Sequence, residues 1–254
     1  MRSAVPYPAY PKKHIEKAIV SASEFHRYEV EKTGSPLPKA PPRVVLVFGG
    51  RWRDYLNRKF RGRFDRTTGL FRLSDSTGIA RVSGPGAPFV AIVVEELVAL
   101  GVQQFLIVGL AGSLRPDLEA GSMVLCGKAL RDEGTSHHYA KAAAFAHPSP
   151  RLAAKLRRTL RRNHVPFAEG PSWTTDAPYR ETAAEVRRYR RMGILTVEME
   201  ASAVFTVARH LGVTAAALFV ISDHLDESGW KPRFRDTTPG LRQALMLALE
   251  TFAN

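Results

Sequence analysis

From residue 43 onward, short uninterrupted apolar runs alternate with longer stretches whose apolar positions recur every three or four residues. Residues 44–48, 104–108, 122–125, 193–197 and 215–221 have the length and composition of strands buried on both faces. Helical periodicity fills 88–100, 150–163, 180–192 and 200–211, and a last helix over 239–252 places Leu241, Leu245, Leu249 and Phe252 on one side. Strands alternating with helices predict an α/β fold: a single domain with a central mixed, mostly parallel twisted sheet flanked by helices. The first 42 residues break the pattern. Rich in proline and charge, with an amphipathic stretch at 13–28, they read as an N-terminal extension packed on a core of residues 43–254.

A chain of 254 residues with 44% hydrophobic content can bury a full core. No apolar run approaches the roughly 20 residues that span a bilayer, and the N-terminus lacks the apolar stretch of a signal peptide, so a cytoplasmic protein is expected. Cys126 is the single cysteine, which excludes an intrachain disulfide and a cysteine-rich metal site and predicts a buried thiol. The adjacent His137 and His138 have no third ligand at helical spacing, so no metal is expected. A net charge of +13 suits polyanionic partners in general. In residues 151–162, however, Leu152, Leu156 and Leu160 fall on one side and turn the arginines outward as a solvated face, without the interleaved aromatics of nucleic-acid modules. Neither a nucleic acid nor a membrane is an expected partner.

Candidate chemistry gathers where apolar runs end. Gly49-Gly50, the SGPGAP stretch at 83–88 and the GLAGS stretch at 109–113 fall at the carboxyl ends of strands, where α/β sheets bind ligands and glycine lets backbone N–H groups approach an anion. The segment 197–201, VEMEA, puts a carboxylate and a methionine at the mouth of a helix, a combination suited to gripping sugar hydroxyls beneath an apolar wall. The segment 222–224, SDH, offers an acid for a departing base.

The ordered series VLVFGGRWR (45–53), SGPGAPFVAIVVEEL (83–97), VGLAGSLRPDLEAGSMVL (108–125), EGTSHHY (133–139), TTDAPYRET (174–182), VEMEASAVFTVA (197–208) and ISDH (221–224) resembles the purine nucleoside phosphorylase and uridine phosphorylase superfamily, which also contains methylthioadenosine/adenosylhomocysteine nucleosidases. The resemblance implies a nucleoside phosphorylase-like fold and phosphorolysis of a purine nucleoside to free base and (deoxy)ribose 1-phosphate. Inorganic phosphate would be co-substrate, with no cofactor. It makes Met199 and Glu200 the ribose grip, supported by Glu198, and Asp223 the acid that protonates N7 of the base, oriented by Arg235. Gly49, Arg53, Arg66 and Gly109 correspond to phosphate-binding positions. Ile107 and Leu110 stand where the phosphorylases carry an arginine and a Ser or Thr, and losing one charge-assisted contact costs about 1.5–3 kcal/mol. Pro178 replaces the stacking phenylalanine, leaving Tyr179 or Trp173, beside Val197, to hold the base, and the Gln-Arg pair that reads uracil is unrecognisable. Arg66 and His14 imply contacts across a subunit interface, hence a homo-oligomer built from dimers. Two other readings stay open: hydrolysis by water, with Asp54 as the nearest carboxylate to activate it, and a nucleoside-binding protein with degraded chemistry.

Overall fold

The computed structural model describes residues 7–10, 12–66 and 68–253; the first six residues of the N-terminal extension lie outside them. After α1 (Ala22–Thr33) come β1 (Arg43–Phe48), α2 (Trp52–Lys59), β2 (Phe64–Asp65), β3 (Leu70–Arg72), β4 (Thr77–Val82), α3 (Ala87–Ala99), β5 (Gln104–Ser113), β6 (Met123–Asp132) and β7 (Phe145–Ala146). Then follow α4 (Pro150–Arg162), β8 (Phe167–Thr175), α5 (Ala183–Arg191), β9 (Thr196–Glu198), α6 (Ala201–His210), β10 (Thr214–Asp226), β11 (Gly229–Pro232) and α7 (Thr238–Ala253).

The strands form one sheet in the order β11-β10-β6-β8-β9-β5-β1-β4-β3-β2, with β7 on β6. Its long ladders, β1 with β4 and β5, β5 with β10, and β6 with β8, are parallel. Antiparallel pairings are short. Because β10 is 13 residues long, it pairs with β5 along one edge and with β6 along the other, which closes β5, β9, β8, β6 and β10 into a ring. A bulge between Ile221 and Asp223 interrupts the β10–β5 register where that ring opens towards the ligand side.

Alternation along β1 divides the core. Val44 and Leu46 pack on one face with Val90 and Val94 of α3 and Val204 and Val207 of α6. Val45 and Val47 pack on the other with Leu56 of α2, Leu152, Leu156 and Leu160 of α4, and Leu245 and Phe252 of α7. The α4 leucines are therefore inward, as their spacing predicts.

The differences from the expected elements have local causes. Strand β8 reads FAEGPSWTT, whose inward residues Ser172 and Thr174 are fully buried yet polar, so apolar periodicity does not reveal it. Helix α1 starts well after residue 13: a capping box between Ser21 and Glu24 sets its beginning, and Gly34, at φ 68°, ends it. Residues Lys13–Ile15 form a separate 3-10 turn.

Candidate active site

A cavity of about 330 Å³ opens at the carboxyl ends of β1, β5, β9 and β10. Its floor is the Gly109–Gly112 stretch of β5, with Glu200 on one side and Asp223 on the other. Glycine at 112 is a steric requirement. A Cβ there would lie 2.6 Å from Leu225 Cδ1 and 2.9 Å from Asp223 Oδ2, so any side chain must push back both Leu225 and the Asp223 carboxylate.

Glu198 and Glu200 divide the work at the mouth of α6. Oε2 of Glu198 accepts the backbone N–H groups of Glu200 (2.8 Å) and Ala201 (2.7 Å), satisfying the first donors of the helix. Its Oε1 accepts from Thr174 Oγ1 at 2.6 Å and Ser172 Oγ at 3.2 Å. With both oxygens engaged by protein, Glu198 braces the turn that presents Met199 and Glu200. Glu200 accepts from the Gly86 N–H at 2.7 Å and from no side chain among the described residues, so its carboxyl retains acceptor capacity towards the cavity. Gly86 aims that N–H from a left-handed backbone at φ 102°. Burial, then the neighbouring Glu198, pushes the Glu200 carboxyl up to about 8. Burial also raises Glu198, against the four hydrogen bonds that pull it down.

Opposite them, Asp223 is 7% exposed. Its Oδ1 accepts from Ser222 Oγ and its Oδ2 from Trp230 Nε1 at 2.8 Å. Arg235 takes no part in this. It is exposed in the turn Phe234–Thr237 and makes no hydrogen bond or ion pair with Asp223 among the described residues. Among the described residues the side-chain donors to Asp223 are the Ser222 hydroxyl and the Trp230 indole, not the Arg235 guanidinium.

The other expected residues divide between the cavity and elsewhere. Met199, Val197 and Gly109 line it. Gly49 does not, because its N–H is bonded to Val82 O at 2.9 Å and closes the β1–β4 ladder instead of facing an anion. Arg53 is on the exposed side of α2, while Arg51, one residue before the helix, lines the cavity and donates to Thr237 Oγ1 at 3.1 Å. Arg66 is exposed in the turn between β2 and β3, at the far edge of the sheet, out of reach of its own chain's cavity. Asp54 is exposed on α2 and does not line the cavity. Trp173 is buried behind the site, its ring edge-on to Tyr189 and its Nε1 bonded to Asp132 at 2.8 Å, so it cannot stack on a base. Tyr179 is fully exposed, and the preceding Pro178 faces the cavity in its place.

The profile of the phosphorylase superfamily matches residues 56–252. The chain belongs to that superfamily. Similar proteins include a guanosine phosphorylase from Halorubrum lacusprofundi, 36% identical over 143 residues that make up 56% of this chain and 59% of the relative, which is less than two thirds of its length. A DeoD-type purine nucleoside phosphorylase from Myxococcus xanthus is 29% identical over 211 residues, 77% of this chain and 86% of its own. The crystal structure of a uridine phosphorylase from Vibrio fischeri has the same fold, with a TM-score of 0.71 at 24% identity over 87% of this chain and 99% of the other. The relatives are enzymes named as nucleoside phosphorylases, a class of pentosyltransferase.

In this superfamily member the cavity holds two residues that the sequence did not single out, Arg51 and Glu181, and Trp230, also unexpected, bonds Asp223 from beside it. Glu181 precedes the Thr182–Glu185 capping box of α5 and lines the cavity near Asp223. Burial, then Asp223 and Glu185, pushes its carboxyl up to about 7. Among the described residues it has no hydrogen-bond partner. In the sequence its one signal is its place in the 174–182 segment, beside the aromatic positions.

Proposed function

We propose that the cavity cleaves the N-glycosidic bond of a purine nucleoside with inorganic phosphate as nucleophile. The observation that carries this reading is the placement of Glu200 and Asp223 on either side of the glycine strand end, in one cavity of a size suited to a nucleoside. Glu200 takes the sugar hydroxyls beneath Met199. An oxygen of phosphate attacks C1′ as the C1′–N9 bond breaks, the bonding electrons pass to the base, and Asp223 gives a proton to N7. The products are free base and ribose 1-phosphate. Hydrogen bonds from sugar hydroxyls to Glu200 strengthen as the ring becomes oxocarbenium-like.

The phosphate is held by the backbone at Gly109 and by Arg51, with Ile107 and Leu110 removing contacts that the phosphorylases otherwise make. Arg66, at the sheet edge, meets the cavity of a second protomer in an oligomer built from dimers. Glu181, an unpaired carboxyl at the end where the base sits, accepts the N1–H and 2-amino hydrogens of a 6-oxopurine, a reading in keeping with the name of the Halorubrum relative.

The test is incubation with guanosine, inosine, adenosine and uridine, with and without phosphate, followed by chromatography of base and sugar. Guanosine is expected to give guanine and ribose 1-phosphate in equal amounts, only with phosphate. Free ribose released equally fast without phosphate would assign the site to hydrolysis, and no cleavage of any nucleoside would overturn the reading.

A further inference from the structure

A second cavity, of about 390 Å³, lies outside the catalytic cleft and has the opposite chemistry. Three separate segments build it. The turn Lys13–Ile15 contributes His14, the stretch from the end of β6 through β7 contributes Tyr139, Lys141 and Phe145, and the last two turns of α6 contribute Phe205, Arg209 and His210. No carboxylate lines it.

Its walls are fixed by contacts that leave the cations free. Buried Arg131 ties the loop in place, donating to Ser136 Oγ at 2.7 Å and to the Lys141 carbonyl at 2.9 Å. The turn carrying His14 is held by Lys13, whose ammonium meets His138 Nδ1 at 3.0 Å. The Lys141 ammonium and the Arg209 guanidinium, by contrast, make no hydrogen bond or ion pair with any described residue, and both are exposed. Like charges gathered around an acid-free cavity repel one another, and a bound anion relieves that repulsion. The half-buried rings of Tyr139 and Phe145, the latter with the Lys128 ammonium 4.1 Å from its centroid, give the same cavity aromatic walls on which a planar base can stack, while Phe205 behind them is buried. Its volume lies in the usual range for small-molecule sites.

We propose that this cavity binds a nucleoside monophosphate, its base against the aromatic walls and its phosphate between Lys141 and Arg209. The site shares no lining residue with the catalytic cleft of its own chain, and His14, which the resemblance places across a subunit interface, here lines the second cavity instead.

Calorimetric titration of the full chain with adenosine 5′-monophosphate tests this, because the two sites can be disabled independently. Glu200→Gln in the cleft is expected to leave the monophosphate affinity unchanged. Lys141→Gln with Arg209→Gln, two exposed positions whose neutralisation leaves the fold intact, is expected to weaken it about a hundredfold, about tenfold for each charge-assisted contact, while nucleoside cleavage stays as in the parent. Adenosine and ribose 5-phosphate, each lacking one half of the ligand, should displace the monophosphate from this site at least about tenfold less effectively. Undetectable binding, an affinity indifferent to the double substitution, or a loss produced instead by Glu200→Gln would overturn the proposal. Ribose 5-phosphate binding as tightly as the monophosphate would remove the base from it.

Discussion

Trp230 Nε1 donates a hydrogen bond to Asp223 Oδ2 at 2.8 Å across the hairpin formed by β10 and β11. The indole is 59% exposed, so the hairpin places a donor-only group over a buried carboxyl while the rest of the ring faces out of the core. Together with Ser222 it fixes the plane of the acid, a role that the superfamily resemblance assigned to Arg235.

Replacing Asp223 by Asn should lower the rate on purine nucleosides by about 10²–10⁴, the usual contribution of a positioned general acid. Nitrophenyl riboside, whose leaving group needs no proton, should lose much less. Trp230→Phe keeps a ring but removes the donor, and a loss of about tenfold is expected on purine nucleosides. Arg235→Ala should change neither substrate appreciably. Equal losses on both substrates for Asp223→Asn would make its role structural.

Gly112→Ala inserts a methyl group 2.6 Å from Leu225 Cδ1 and 2.9 Å from Asp223 Oδ2. Overpacking of this kind costs about 1–3 kcal/mol. The variant should fold with a lowered melting temperature, and its activity should fall more than its stability, since the displaced group is the acid. Steady-state kinetics and thermal denaturation on the same sample measure both. A variant as active as the parent would remove Asp223 from the chemistry.

The carboxyl of Glu200, raised from an ordinary 4.5 to about 8, links stability to pH. Its folded form favours the proton, so its contribution to stability is complete below pH 4.5 and declines as pH rises towards 8. In the absence of nucleoside, the melting temperature should fall from pH 6 to pH 9, and Glu200→Gln should flatten part of that slope. Bound nucleoside, which donates to the ionised carboxylate, should steady the protein most at the alkaline end. Parent and variant melting in parallel across this range would show that Glu200 does not titrate there.

Arg51 and Arg53 separate the two ways of placing the phosphate. Arg51 lines the cavity and Arg53 is exposed on α2. Arg51→Ala should raise the KM for phosphate about tenfold or more with little change in that for nucleoside, and Arg53→Ala should have a smaller effect. Ile107→Arg should destabilise the protein instead of restoring a contact, because Ile107 is fully buried in the core beneath α3 and α6. A larger effect from Arg53 than from Arg51 would indicate that α2 rotates when phosphate binds.

The residues that touch their neighbours along the chain were legible without a structure. Helices α3, α4, α6 and α7 follow from apolar spacing, and β1, β5 and β10 from apolar runs, because each helix buries one periodic face against the sheet and each of these strands is covered on both faces. That Met199, Glu200 and Asp223 line one cavity was legible for a related reason: they lie at strand ends, where an α/β sheet presents its ligands. Strand β8 was not, since its buried Ser172 and Thr174 are accounted for by Glu198, 26 and 24 residues away.

Tertiary structure alone decided which side chain at a given loop faces inward. Arg51 and Arg53, or Pro178 and Tyr179, differ by one or two positions in sequence, yet the first of each pair lines the cavity and the second does not. The partner of Asp223 was likewise set by the β10–β11 register, which brings Trp230 to it and leaves Arg235 in solvent. Sequence by itself determined the layered architecture and the types of group at the strand ends, because burial depends on patterns repeated over many residues. Orientation at the site depends on single rotations about the chain and on a ring closed between β5 and β10, contacts about a hundred residues apart that no local pattern encodes.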